Sequence, residues 1–140
     1  MQILLFTLIF LLLDVAMNLI SLKVTKLLGM DFLFFASWLA GMNYEVSQGI
    51  VVSLVLIAEH SMLHMRKSKF IGFSLPAQIG AVLLGHFLGA GWFFGSLIIY
   101  QVINTGLMSI IGGIGLRFGI FLVVNTLFNI LVYNIWSRVV

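Results

Sequence analysis

Asp14 is the residue whose type and position most invite chemistry, because it interrupts the apolar stretch that runs over residues 3–22. Insertion scales put an Asp at the centre of a lipid-embedded helix at about 2.5–3.5 kcal/mol of cost. Asn18 follows one turn later on the same face, so the pair must point inward, to another helix or a wet cavity. A carboxylate and an amide there suit a proton, a cation or a substrate amine. An interhelical hydrogen bond with Asp14 protonated explains the pair equally well, and the residues leave both readings open.

The second constellation is Glu59-His60-Ser-Met-Leu-His64. His60 and His64 stand four apart, so both imidazoles leave one helical face in a metal-chelating geometry. Glu59 sits about 100° around that helix from His60, off the line of the pair. A metal centre needs a further ligand, and His86 is the one histidine left among the three. No cofactor is expected; a metal at His60 and His64 is the alternative to an ordinary interfacial role beside Arg66-Lys67. Three histidines are too few for a desaturase-type di-iron centre, and a haem between His86 and the third helix faces a mismatch in depth. With no cysteine, thiol catalysis, iron–sulfur clusters, cysteine zinc sites and disulfides are excluded. Asp14, Asn18, Glu59, His60, His64 and His86 are the residues expected to line or gate a solute or ion site.

Neutral amides supply the remaining polarity: Gln78, Gln101, Asn104, Asn125, Asn129 and Asn134. Gln101 and Asn104 share a face, as do Asn125 and Asn129. Each amide can bridge helices at about 0.6 kcal/mol, and several converging faces would make a polar interior. Glycines 112, 113, 115 and 119 surround Arg117, but no P-loop lysine with Ser or Thr follows them, so a turn explains them.

The elements that position these residues follow from composition. Hydrophobic residues make up 62% of the 140, charged residues 8%, and the mean hydropathy is +1.23. A soluble domain carries about 25% charged residues to cover its surface. This chain cannot build such a surface, so lipid is the expected solvent. Long apolar runs without alternation select helices over a membrane β-barrel. The fold class expected is all-α: a polytopic integral membrane protein, one domain over residues 1–140, folded as a compact bundle of about six transmembrane helices. The segments are 3–22, 30–44, 46–65, 70–90, 92–111 and 116–136, with the second short at about 15 residues. The first lacks a basic start and a cleavage site, which predicts a retained helix.

Lys23, Lys26, Arg66, Lys67, Lys69 and Arg117 fall on one side of such a bundle and Arg138 on the other. The positive-inside rule then makes those loops cytoplasmic and places both termini outside. The net charge of +3 reflects this orientation, with no nucleic acid partner expected. Ala77, Ala81, Gly85 and Gly89 recur every fourth residue, which predicts a close helix-packing face or, alternatively, the docking face of another subunit. Pro76 lies in the first turn of that helix, where it is tolerated. Trp92 and Trp136 suit interfacial belts, and Trp38 and Tyr100 suit packing between helices.

The stretch Asp31-Phe-Leu-Phe-Phe-Ala-Ser-Trp-Leu-Ala-Gly41, then Gly49, the helix ending at Glu59, Ile71-Gly-Phe-Ser-Leu-Pro-Ala-Gln-Ile-Gly80 and the Asn-bearing last helix form an ordered pattern. In that order the chain resembles the MreD shape-determination proteins and the substrate-binding components of energy-coupling-factor transporters, over about residues 30–136. The resemblance implies a compact six-helix fold serving as a solute-binding subunit or as a membrane scaffold. No ATP-binding motif is present, so energised transport would need a partner. The leading expectation is a non-enzymatic membrane subunit that binds or passes a small solute or ion within a larger complex. The alternatives are a non-catalytic assembly scaffold and, third, a membrane enzyme using Glu59, His60 and His64.

Overall fold

The computed structural model describes residues 2–25, 29–65 and 68–140. Its helices are α1 (Gln2–Ile20), which runs on into a π-helical turn (Ser21–Thr25), α2 (Leu33–Asn43), α3 (Val46–Leu63), α4 (Ser68–Phe73), α5 (Leu75–Leu88), α6 (Phe93–Ile110) and α7 (Leu116–Val139). No strand occurs among the described residues. Pro76 sits in the first turn of α5, and Gly89 ends that helix with a φ of +65°.

Five stretches among the described residues are long and apolar enough to cross a membrane: Gln2–Lys23, Val46–Leu63, Lys69–Leu88, Ala90–Ile110 and Leu116–Val139. The second segment differs from the six-helix expectation. Its helix, α2, has 11 residues. At 1.5 Å per residue α2 is about 16 Å long, roughly half of a ~30 Å hydrocarbon core. Residues 29–32, just before it, are not helical.

This short helix is nevertheless the centre of the molecule. Every residue from Leu33 to Gly41 is buried. It packs most extensively on α5 and next on α3. Two glycines facing in opposite directions allow this. A Cβ on Gly41 would lie 2.0 Å from the Val82 carbonyl oxygen, and one on Gly85 would lie 2.0 Å from that of Trp38. The α2 and α5 backbones therefore touch directly. Ala77, Ala81 and Gly85 do form a buried small-residue face, but α2 of the same chain occupies it. Docking of a separate subunit there is excluded by that occupancy. Gly89 does not belong to the face: its added Cβ would meet nothing within 4 Å, and it serves as the turn that ends α5.

An aromatic cluster fills one end of the core. Phe93 stacks on Tyr133 with ring centroids 3.9 Å apart, and Trp38 meets Phe35, Phe93, Tyr133 and Trp136. Trp38 and Tyr100 are buried between helices, as their positions suggested. Trp136 joins this cluster instead of lying free at a boundary, whereas Trp92 is exposed. At the same end Phe6 rests on Tyr44, and the Tyr133 hydroxyl donates to the Ala90 carbonyl at 3.2 Å. At the opposite end Gly113, after α6, packs near Phe70, before α5. By chain position Lys23, Lys69 and Arg117 fall at that opposite end. Lys26, Arg66 and Lys67 lie outside the described residues.

The glycine contact makes a direct prediction. Gly85→Leu should lower stability by about 2 kcal/mol or more, since the side chain has only backbone to push against. Gly106→Ala, where an added Cβ meets nothing within 4 Å, should not. Thermal unfolding of the two variants in one detergent reads the difference.

Candidate functional site: a buried acid–imidazole cluster

Because α2 starts inside the bundle, its first backbone N–H groups have no intrahelical partner and no water. Asp14 supplies one acceptor: its Oδ1 takes the Phe32 N–H at 2.6 Å. Asp31 supplies another from the α2 side, its Oδ1 taking the Leu33 N–H at 3.3 Å. Both aspartates are almost wholly buried, with Asp14 at 0% exposure and Asp31 at 2%. The positive end of the α2 dipole thus rests against two carboxyl groups, a favourable pairing in a low-dielectric setting.

The other oxygen of Asp14 faces α3. Asn18 donates from Nδ2 to Asp14 Oδ2 at 2.8 Å, and the same amide nitrogen lies 3.0 Å from His60 Nδ1. His60 Nδ1 lies 3.3 Å from Asp14 Oδ2. His64 Nε2 reaches Asn18 Oδ1 at 3.1 Å. Asn18 therefore ties both imidazoles to Asp14. Spacing of i, i+4 on α1 matches spacing of i, i+4 on α3, so the two helices meet rung by rung.

Glu59 completes the group. Ligand-capable atoms of Asp14, Glu59 and His60 all lie within 4.8 Å of one another. Its offset around α3 had set it apart from the histidine line, yet Asp14, on the neighbouring helix, sits where both can reach it. Both Glu59 carboxyl oxygens are closed off from solvent, and the carboxyl group faces that of Asp14.

Five of the six residues expected at a site thus converge: Asp14, Asn18, Glu59, His60 and His64. His86 does not. It is exposed, and its Nδ1 lies 3.2 Å from the Gly41 carbonyl, at the C-terminal end of α2 and away from Asp14. The histidine pair of α3, His60 and His64, stays together. Their rings pack at 4.7 Å, but the metal-competent group is Asp14, Glu59 and His60, with His64 directed at Asn18.

Compared with known proteins, this chain matches no family model, no curated protein and no solved structure.

Asp31 is the residue that sequence reasoning passed over. It lies between the cluster and a second polar arm. Asn125 donates to both Asp31 oxygens at 3.4 Å and to the Gly29 carbonyl at 3.1 Å. Gln101 donates to Asn125 Oδ1 at 2.8 Å and to Thr126 Oγ1 at 3.3 Å, and Asn129 donates back to the Asn125 carbonyl at 2.8 Å. Gly29, at a φ of +97°, permits the close approach: a Cβ there would fall 2.7 Å from the Phe121 carbonyl oxygen. The amides of α6 and α7 do converge, while Asn134 stays exposed. A polar belt therefore crosses the bundle from His64 to Thr126, joined at the start of α2.

The Asp14 contact to Phe32 is testable by shape and charge. Asp14→Ala should destabilise the protein by about 1–3 kcal/mol, the cost of leaving a buried N–H without an acceptor. Asp14→Asn keeps an oxygen for Phe32 and should lose less. Melting temperatures measured side by side in detergent check the order.

Proposed function

We propose that the protein is an integral multi-pass membrane subunit that binds or passes a small cation, the proton included, at the Asp14–Asn18–Glu59–His60 cluster. The single observation behind this reading is an imbalance of charge. Asp14, Asp31 and Glu59 gather among apolar helices, and their described contacts are with one another, with imidazole, with amides and with backbone N–H groups. None of those partners is Lys or Arg. Burying carboxyl groups costs several kcal/mol each unless something compensates them. Protons or a bound cation provide that compensation.

The apolar exterior supports placement in a bilayer. Leu4, Leu8 and Leu12 of α1 and Val123, Leu127 and Leu131 of α7 stand exposed at helical spacing. In a bilayer, residues 29–32 with α2 supply the sixth crossing alongside the five longer helices. That count puts the loops holding Lys23, Lys69 and Arg117 in the cytoplasm and both termini outside, as the positive-inside rule requires. The cysteine-free chain suits a labelling test. Gly115→Cys should react with an impermeant thiol reagent from the cytoplasmic side, and Ser137→Cys from the opposite side.

The resemblance to energy-coupling-factor substrate-binding components fits a subunit that needs partners for energy. A scaffold role, of the MreD kind, draws on a different feature. An open groove of about 560 Å³ lies between α6 and α7, lined by Phe94, Leu97, Ile98, Val102 and Leu122 with Gln101 and Thr126 among them. In a scaffold, the acid cluster would serve only to hold helices together.

Linkage separates the two. A cation that binds the folded protein raises its melting temperature by mass action. The melting temperature in detergent should respond to pH or to added cations at fixed ionic strength, and the response should vanish in Glu59→Gln. A wild-type protein indifferent to every cation and flat from about pH 5 to 8, the range in which imidazole titrates, would favour the scaffold.

A further inference from the structure

The cation-site reading can be taken further, and on that basis we infer that the ion is a divalent transition metal, held by Asp14, Glu59 and His60. The donor set comes first. One imidazole nitrogen and oxygens from two carboxyl groups converge within 4.8 Å. Nitrogen–oxygen sets of this kind suit zinc, cobalt, nickel, manganese or ferrous iron. Magnesium and calcium favour oxygen alone, and copper(I) favours the sulfur ligands this cluster lacks.

Spacing is the second argument. A tetrahedral ion with bonds of ~2 Å sets its ligand atoms about 3.3 Å apart. His60 Nδ1 and Asp14 Oδ2 are 3.3 Å apart already. Glu59 needs only a side-chain adjustment to join them, since both of its oxygens are shielded from solvent and its carboxyl group already faces Asp14.

The third argument concerns His60 Nδ1. It faces an amide donor from Asn18 at 3.0 Å and a carboxylate acceptor from Asp14 at 3.3 Å. One ring nitrogen cannot accept from the first and donate to the second at once. A metal ion on Nδ1 removes the conflict: the lone pair goes to the ion, and the Asn18 amide keeps its bond to Asp14 Oδ2. Asp14 is also pre-oriented for the task, because the Phe32 N–H fixes its other oxygen. Metal ligands are commonly held by outer hydrogen bonds of this type. Binding replaces whatever protons the three groups carry, so the ion and protons compete for the site. The coordination leaves a position open for water or for a ligand carried with the metal.

Cobalt(II) is the informative probe because its visible absorption reports both binding and coordination. Full-length protein in mild detergent, stripped with chelator, is titrated with cobalt(II) chloride and then with zinc chloride. We expect one cobalt per chain with the absorption of a low-coordinate site, displaced by zinc and accompanied by proton release. Glu59→Gln and His60→Gln should each weaken binding at least tenfold while the melting temperature of the metal-free protein shows them folded. His86→Ala should leave the titration unchanged. Asp14→Asn is a poorer probe, since Asp14 also supports α2.

Cobalt absorption that persists in both Glu59→Gln and His60→Gln overturns the assignment of ligands. A protein that takes up no divalent ion, yet still melts in a pH- or sodium-dependent way abolished by Glu59→Gln, overturns the metal and leaves the broader cation reading standing. Indifference to all of these removes both.

Discussion

The hydrogen bond from the Phe32 N–H to the Asp14 carboxylate is the contact on which the rest of the arrangement turns. A helix that begins inside an apolar bundle exposes N–H groups that water would otherwise satisfy, and each one left bare is costly. Asp14 meets that demand from α1, and Asp31 meets it from the approach to α2 itself. Once two carboxyl groups are present, they in turn need partners. Asn18, His60 and, through Asn18, His64 answer for Asp14, and Asn125 answers for Asp31. The polar belt is thus a sequence of consequences starting from one broken helix.

Two kinds of cohesion divide the molecule. On one side of the α2 start, α2, α3 and α5 meet through glycine, alanine and serine, with Ser53 donating to Ser37 at 2.8 Å and aromatic rings filling the space beyond. Contact there is dry and close, so it rests on dispersion and on shape. On the other side, α1 and α7 add polar pegs to their apolar contacts with the core: Asp14 and Asn18 from α1, Asn125 and Asn129 from α7. These four are the buried polar residues of otherwise exposed helices, apart from one aromatic, Phe10. For α1 and α7, satisfying these polar groups adds to the apolar packing, for which lipid competes on equal terms.

Much of this was legible in the residues. Asp14 and Asn18 stood out because a carboxyl group in an apolar run has few places to go, and His60 and His64 because four-residue spacing aligns them. Gly85 announced close packing by its place in a stripe of small residues. What stayed hidden depended on depth and on neighbours. Asp31 looked like a boundary residue as long as its helix was taken as a full crossing, and α2, at half length, brings it into the interior. The sign of this was present, since the segment is shorter than its neighbours at about 15 residues. Glu59 looked misdirected relative to the histidines because one helix was considered alone, whereas the shared partner sits on another. His86 was included on residue type, and its ring meets the Gly41 carbonyl at the other end of α2 from Asp14. Gly89 continued the numerical pattern of the stripe but had already left the helix, a distinction that only its positive φ reveals.

The backbone contact of Gly41 with Val82 and of Gly85 with Trp38 carries a consequence for traffic. Where main chains abut, no thread of water fits between them, so the seam between α2 and α5 is closed at these positions. An ion held beside Asp14, as proposed, would therefore find no way between α2 and α5 for as long as those two backbones stay clasped.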